Sequence, residues 1–185
     1  MTLARTTLTS VLEATASLMA LGFVALMVCL YHDARPAQRV LAGIGAALAV
    51  VAAAALTIDY AIQLTVVQPS LLKGQIQNLS LVSMDNPHGL FIALESLGYL
   101  LMGMAFFFAG CVFAGRTGLE RTLRWVLFLA ALTIVALCAV LAITRGQDLD
   151  YLFEVWAIAI DWLVLILLGV LLAMLFRSER RTGAT

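Results

Sequence analysis

Charge is what this chain lacks. Only 12% of its 185 residues are Asp, Glu, Lys or Arg, against 63% hydrophobic, which is too little polar surface to cover a soluble globule. None of the eleven Lys and Arg residues falls in the middle of an apolar run; all sit in loops or near run ends. Histidine is scarce as well. His32 and His88 lie at opposite ends of their runs, so a haem held by two histidines at one depth is excluded. Cys29, Cys111 and Cys138 are isolated within apolar stretches, with no Cys-x-x-Cys pair, and read as small core residues rather than disulfide, zinc or redox sites. The sequence also lacks a Gly-rich phosphate loop, a nucleophile elbow and a His-Glu-x-x-His helix. A hard-cation site built from His88, Glu95, Asp59 and Asp161 is chemically admissible. Its spacing is generic, however, so no metal is assigned and no cofactor is called for.

Long apolar runs are what the chain has. About 20 such residues are needed to cross a hydrocarbon core of roughly 30 Å, and five candidates lie at 9–31, 38–66, 89–114, 120–143 and 151–176. The expected fold is an all-α, polytopic membrane bundle of five transmembrane helices. It forms a single domain over 1–185, with one long outer loop at 68–88 and a multi-pass place in the cell membrane. The first run is too long for a signal peptide, contains Glu13 and is followed by Arg35 and Arg39, so it reads as a retained span. Eight basic residues (Arg35, Arg39, Arg116, Arg121, Arg124, Arg177, Arg180 and Arg181) fall on one side, against Arg5, Lys73 and Arg145 on the other. The positive-inside rule then puts the N-terminus outside and the C-terminus in the cytoplasm.

Five acidic side chains, Glu13, Asp59, Glu95, Glu154 and Asp161, interrupt these runs. A carboxylate near the bilayer centre costs roughly 2.5–3.5 kcal/mol on insertion scales, so such a residue faces a protein interior or a wet cavity and is a functional candidate by default. With the topology above, all five belong to the outer half, and a shared acidic pocket open to the outside is expected. Span 4 supplies no acid to it and is expected to pack at the periphery. Helical spacing adds neighbours: Gln63 lies one turn from Asp59, while His88, Ile92, Glu95, Tyr99 and Met102 form a stripe at intervals of 3 and 4. Trp162 lies too deep for an interfacial belt. The candidate ligand-binding set is therefore Asp59, Glu95, Asp161, Gln63, Tyr99, His88, Glu154 and Trp162. Gly43, Ala47 and Ala54 in span 2, with Gly98, Gly103 and Gly110 in span 3, are the small residues available for close helix approach.

Plainer roles compete for some of these residues. Ser10 followed by Glu13 matches a capping box at the start of span 1, and Thr117 with Glu120 matches one before span 4. Glu154 suits the positive end of the dipole of the fifth span, 151–176, where Asp148 and Asp150 serve as caps. In the outer loop, Pro69 is placed to open a short amphipathic helix carrying Leu71, Leu72, Ile76, Leu79 and Val82, either a lid or an interfacial anchor. Asn86 is expected as N-cap and Pro87 as the first residue of span 3.

The stretch Gln68-Pro69-Ser70-Leu71-Leu72, followed by Asn86-Pro87-His88-Gly89-Leu90-Phe91-Ile92-Ala93-Leu94-Glu95-Ser96-Leu97-Gly98-Tyr99-Leu100-Leu101-Met102, resembles a segment of a group of small bacterial integral membrane proteins. That resemblance implies no activity. The helix count and acidic interior are similar in layout to sterol isomerases of the emopamil-binding type, without a motif that carries residues across. Three functions are consistent with the sequence. The first is a pocket for a cation, a proton or an amphipathic small molecule. The second is a membrane enzyme using paired carboxylates for acid–base chemistry on a lipid-like substrate. The third is an assembly subunit of a membrane complex. Partners on these readings are the lipid bilayer, a small cation or lipophilic ligand, and a second copy of the chain, but not nucleic acid.

Overall fold

The structure, a computed structural model, describes residues 3–75, 79–84, 86–145 and 152–182, and within the helices leaves out the side chains of 3–9, Arg145, Leu152, Glu154, Phe176 and 178–182. All regular structure among them is helical: α1 (Leu3–Asp33), α2 (Arg39–Ile62), a wide-turn π segment (Gln63–Val67), α3 (Gln68–Leu72), α4 (Leu90–Val112), α5 (Gly118–Arg145) and α6 (Leu152–Thr182). Five helical stretches are long and apolar enough to cross a membrane: Ser10–Asp33, Arg39–Leu72, Leu90–Val112, Gly118–Thr144 and Val155–Leu175.

Helices α1 and α6 each bury one stripe at spacings of three and four. In α1 the stripe is Glu13, Ala16, Ala20, Phe23, Met27 and Leu30; in α6 it is Phe153, Ala157, Asp161, Val164, Leu168, Leu172 and Leu175. The opposite faces are also apolar, with Leu18, Val40, Leu132 and Ile143 exposed. Helices apolar inside and outside alike are unstable in water and suited to hydrocarbon. In α2 the buried line runs through Ala42, Gly45, Ala49, Ala52, Leu56, Asp59 and Gln63, whereas Ala47 and Ala54, two of the small residues expected to make the contact, are exposed. The expected face was therefore turned away from the one used, because alanine is so frequent in this helix that several stripes look equally small.

α4 is the centre of the bundle. It packs against α2, α5 and α6, and α1 leans on α2. A Cβ added at Gly98 would stand 2.6 Å from Leu56 Cγ, one at Gly103 2.7 Å from Ile134 Cδ1, and one at Gly110 2.7 Å from Phe128 Cε1. These glycines let α4 meet α2 and α5 almost backbone to side chain. α5 lies on the far side, burying Leu123, Leu127, Ala130, Ala131 and Ile134. Among the described residues, α1 and α6 scarcely touch, so the ring of helices is open between them.

Three sequence expectations need correction at element ends. Pro69 does stand in the first turn of a short helix, α3, but α3 neither extends to Val82 nor lies apart as an amphipathic segment: it continues the second span to Leu72, 34 residues in all, about 50 Å of helix. A proline cannot donate to the carbonyl four residues back. The chain meets this with a π turn just before it, where the Gln68 N–H donates to the Gln63 carbonyl. Leu79 and Val82 then lie in turns, and Ile76 falls outside the described residues, as do Asp85, Asp148 and Asp150. Asn86 is not the N-cap of span 3, which begins at Leu90 with Gly89 before it. Its side chain instead builds the preceding turn, accepting from the His88 N–H at 3.1 Å and donating to the Ser80 carbonyl at 2.9 Å. Ser10 and Glu13 are not a capping box either, because α1 begins at Leu3, about two turns earlier. Thr117 does cap α5, accepting from the Glu120 N–H at 3.1 Å.

Candidate functional site

A cavity of about 470 Å³ lies near the end of the bundle that carries the 79–84 turns, lined by α1 and α6 among others. Its walls come from four helices and one turn: Leu12, Glu13 and Ala16 of α1, Tyr60 of α2, Met84 of the turn, Phe91, Glu95 and Tyr99 of α4, and Ile158 and Trp162 of α6. α5 contributes nothing to it. Among the described residues no basic side chain lines it, and the wall is mainly apolar apart from two carboxyls, two phenols and an indole. This volume lies within the usual range for small-molecule sites.

The polar groups are ordered by hydrogen bonds across helices. The Tyr60 hydroxyl donates to Glu95 Oε1 and stands 3.2 Å from the Tyr99 hydroxyl, to which Trp162 Nε1 donates at 3.4 Å. Tyr60 reaches Glu95 because α2 and α4 are held close by the Gly98–Leu56 contact a turn away. On the other wall, Gln68 Nε2 donates to Glu13 Oε2 at 2.8 Å, and the Ser10 hydroxyl donates to Gln68 Oε1. Gln68 is brought to this face by the π turn, in which residues five apart stack. Glu13 is only 5% exposed, and its second oxygen, Oε1, has no hydrogen-bond partner among the described residues. Glu13, Asp59 and Glu95 lie within electrostatic reach of one another.

The sequence-derived candidates separate into three groups. Glu95, Tyr99 and Trp162 line the cavity. Asp59, Gln63 and Asp161 are buried but do not line it. Gln63 donates to the Val82 carbonyl at 2.6 Å and so ties down the connection. Asp59 Oδ2 and both oxygens of Asp161, which is 0% exposed, have no partner among the described residues. Tyr99 stands within electrostatic reach of Asp161. His88 is exposed in the turn before α4 and is not a lining residue, and the Glu154 side chain lies outside the described residues.

Sequence reasoning missed Tyr60, Gln68, Phe91 and Met84, and it counted Glu13 among the five pocket acids while leaving a capping role open for it and keeping it out of the candidate ligand-binding set. Tyr60 carried a signal: it is the one aromatic residue in the Ala- and Val-rich α2. Gln68 carried none, since its facing depends on a π turn that no simple spacing reveals. Among the described residues no group of three or more His, Cys, Asp or Glu side chains is placed to hold a metal ion. Compared with protein-family models, curated proteins and solved structures, the chain matches none.

Proposed function

We propose that this chain is an integral membrane protein, N-terminus outside and C-terminus in the cytoplasm, whose acidic cavity binds an amphipathic cation in the outer half of the bilayer. The orientation rests on the eight-to-three division of basic residues. The binding reading rests chiefly on Glu13: a buried carboxyl with one oxygen unpartnered among the described residues, lining with Glu95 a mainly apolar cavity that no described basic side chain enters. A cationic head there meets opposite charge in a low dielectric and the faces of Tyr60, Tyr99 and Trp162, while an apolar body fits the Leu12, Phe91 and Ile158 wall. Buried carboxyls among the described residues are confined to Glu13, Asp59, Glu95 and Asp161. None of them continues toward the far end of the bundle, which favours binding or sensing over a complete ion path.

One observation supports a second reading. The series Glu95, Tyr60, Tyr99 and Trp162, hydrogen-bonded and bordering an apolar cavity, is an arrangement that proton transfer to a lipid-like substrate requires.

The test is a titration of the full chain in phosphatidylcholine nanodiscs, with Trp125 and Trp156 replaced by Phe so that Trp162 reports. Dodecyltrimethylammonium should change Trp162 emission saturably, and Glu13→Gln and Glu95→Gln should each weaken binding roughly tenfold or more. An equal response to neutral dodecanol, or no effect of either substitution, overturns the reading.

A further inference from the structure

The same cavity specifies how its ligand lies. We infer that the ligand is a cation with a hydrocarbon tail, its head between Glu13 and Glu95 and its tail leaving sideways between α1 and α6 into the bilayer; this rests on the binding reading above.

Three observations converge on it. The first is the gap. α1 and α6 both line the cavity through Leu12, Ile158 and Trp162, yet they scarcely touch each other. Leu12 is 55% exposed, on a helix whose described outer face is mainly apolar around it, with Val11, Leu18 and Leu21 exposed and the Thr15 hydroxyl bonded to the Val11 carbonyl, so this side of the cavity suits hydrocarbon rather than water. The second is the roof. Met84 lines the cavity from the 79–84 connection, and that connection is pinned by three bonds: Gln63 Nε2 to the Val82 carbonyl at 2.6 Å, the Leu90 N–H to the Leu81 carbonyl at 2.7 Å, and Asn86 Nδ2 to the Ser80 carbonyl at 2.9 Å. Among the described residues, passage past Met84 displaces a connection held by these bonds, whereas passage between α1 and α6 breaks none of them. The third is the placement of charge. The carboxyls of Glu13 and Glu95 stand on α1 and α4, while Leu12 and Ile158 at the opening carry no polar group. A head-in, tail-out molecule keeps its cation against the acids and its chain in an apolar medium throughout. A compact hydrophilic cation gains nothing from the sideways opening and must lose its hydration to pass it.

Photo-crosslinking of the full chain in nanodiscs tests this, using a dodecylammonium probe with a diazirine at the end of its chain and the matching alcohol as control. Adducts should form on α1 and α6 residues bordering the gap, Leu12 and Ile158 foremost. They should fall to the level of the alcohol in Glu13→Gln and in Glu95→Gln. Both substitutions conserve shape and leave a carbonyl acceptor for Gln68 or Tyr60, so unchanged thermal unfolding would certify the variants. If either variant fails to fold, competition of the wild-type adduct by unlabelled dodecyltrimethylammonium, but not by dodecanol, is the required result. Amine-specific adducts on Phe91 and Met84 instead, beneath the strap, would overturn the sideways tail while leaving the binding reading intact. Identical labelling by amine and alcohol would overturn both.

Discussion

Tyr60→Phe is the sharpest probe of the site's construction, since it removes one hydroxyl and leaves ring and volume in place. That hydroxyl is buried, donates to Glu95 Oε1 and lies 3.2 Å from the Tyr99 hydroxyl. Loss of a donor to a buried carboxyl costs about 1.5–3 kcal/mol in soluble proteins. Hydrogen-bond pairs between membrane helices average about 0.6 kcal/mol and reach about 1.7 in double-mutant cycles, because the unfolded chain in a membrane finds partners too. Glu95 is a strong acceptor in a site that the Tyr60 and Phe91 rings, 6.4 Å apart, help to close, so the upper part of that range applies. The expected destabilisation is about 1–2 kcal/mol. Reversible unfolding in mixed micelles of the wild type, Tyr60→Phe, Glu95→Leu and the double variant completes the cycle. Once Glu95 is gone, Tyr60→Phe should cost about 1 kcal/mol less than in the wild type. Additivity within about 0.3–0.5 kcal/mol, the behaviour of independent sites, would refute the claim that Tyr60 acts through Glu95.

Gly98→Ala should destabilise by about 1–3 kcal/mol through overpacking, because its Cβ would press Leu56 at 2.6 Å. Gly22→Ala, with nothing within 4 Å, should stabilise by up to about 1 kcal/mol; thermal unfolding giving both the same sign would contradict the packing. Asp161→Leu should raise stability by about 1–3 kcal/mol, since it exchanges a buried carboxyl whose two oxygens have no partner among the described residues for an apolar side chain on an apolar stripe, and a fall would mean that Asp161 has a partner it needs. Maleimide labelling of Leu81→Cys in intact cells, with Cys29 replaced by Ser, should succeed from outside, and a cysteine at Arg177 should react only after permeabilisation. The reverse pattern would invert the proposed topology.

Run length alone made the five long apolar helices legible, because a helix apolar on every face leaves few alternatives. Their ends were less so. Pro69 read as a boundary, and only a π turn, invisible to a periodicity of three and four, carries the helix past it to Leu72. Asn86 read as a cap because Asn-Pro often starts a helix, yet its side chain is spent on the turn that holds Ser80. The acids were legible as a class: Glu13, Asp59, Glu95 and Asp161 all fall in phase with the buried stripes of their helices. Which of them face a shared space was not. Glu13 resembled a cap only because the start of α1 was placed too late, and Asp161, the deepest by position, lies outside the cavity lining. Tyr99 and Trp162 were reached by spacing and depth, whereas Tyr60, adjacent in sequence to an acid, was overshadowed by Asp59.

The central claim, that the Glu13–Glu95 cavity holds an amphipathic cation, is most directly tested by native mass spectrometry of the full chain released from bilayers carrying equal amounts of dodecyltrimethylammonium and dodecanol. The account predicts one retained ammonium per chain, no retained alcohol, and loss of the ammonium in the Glu13→Gln/Glu95→Gln double variant. Equal retention of both amphiphiles, or undiminished ammonium on the double variant, would contradict it.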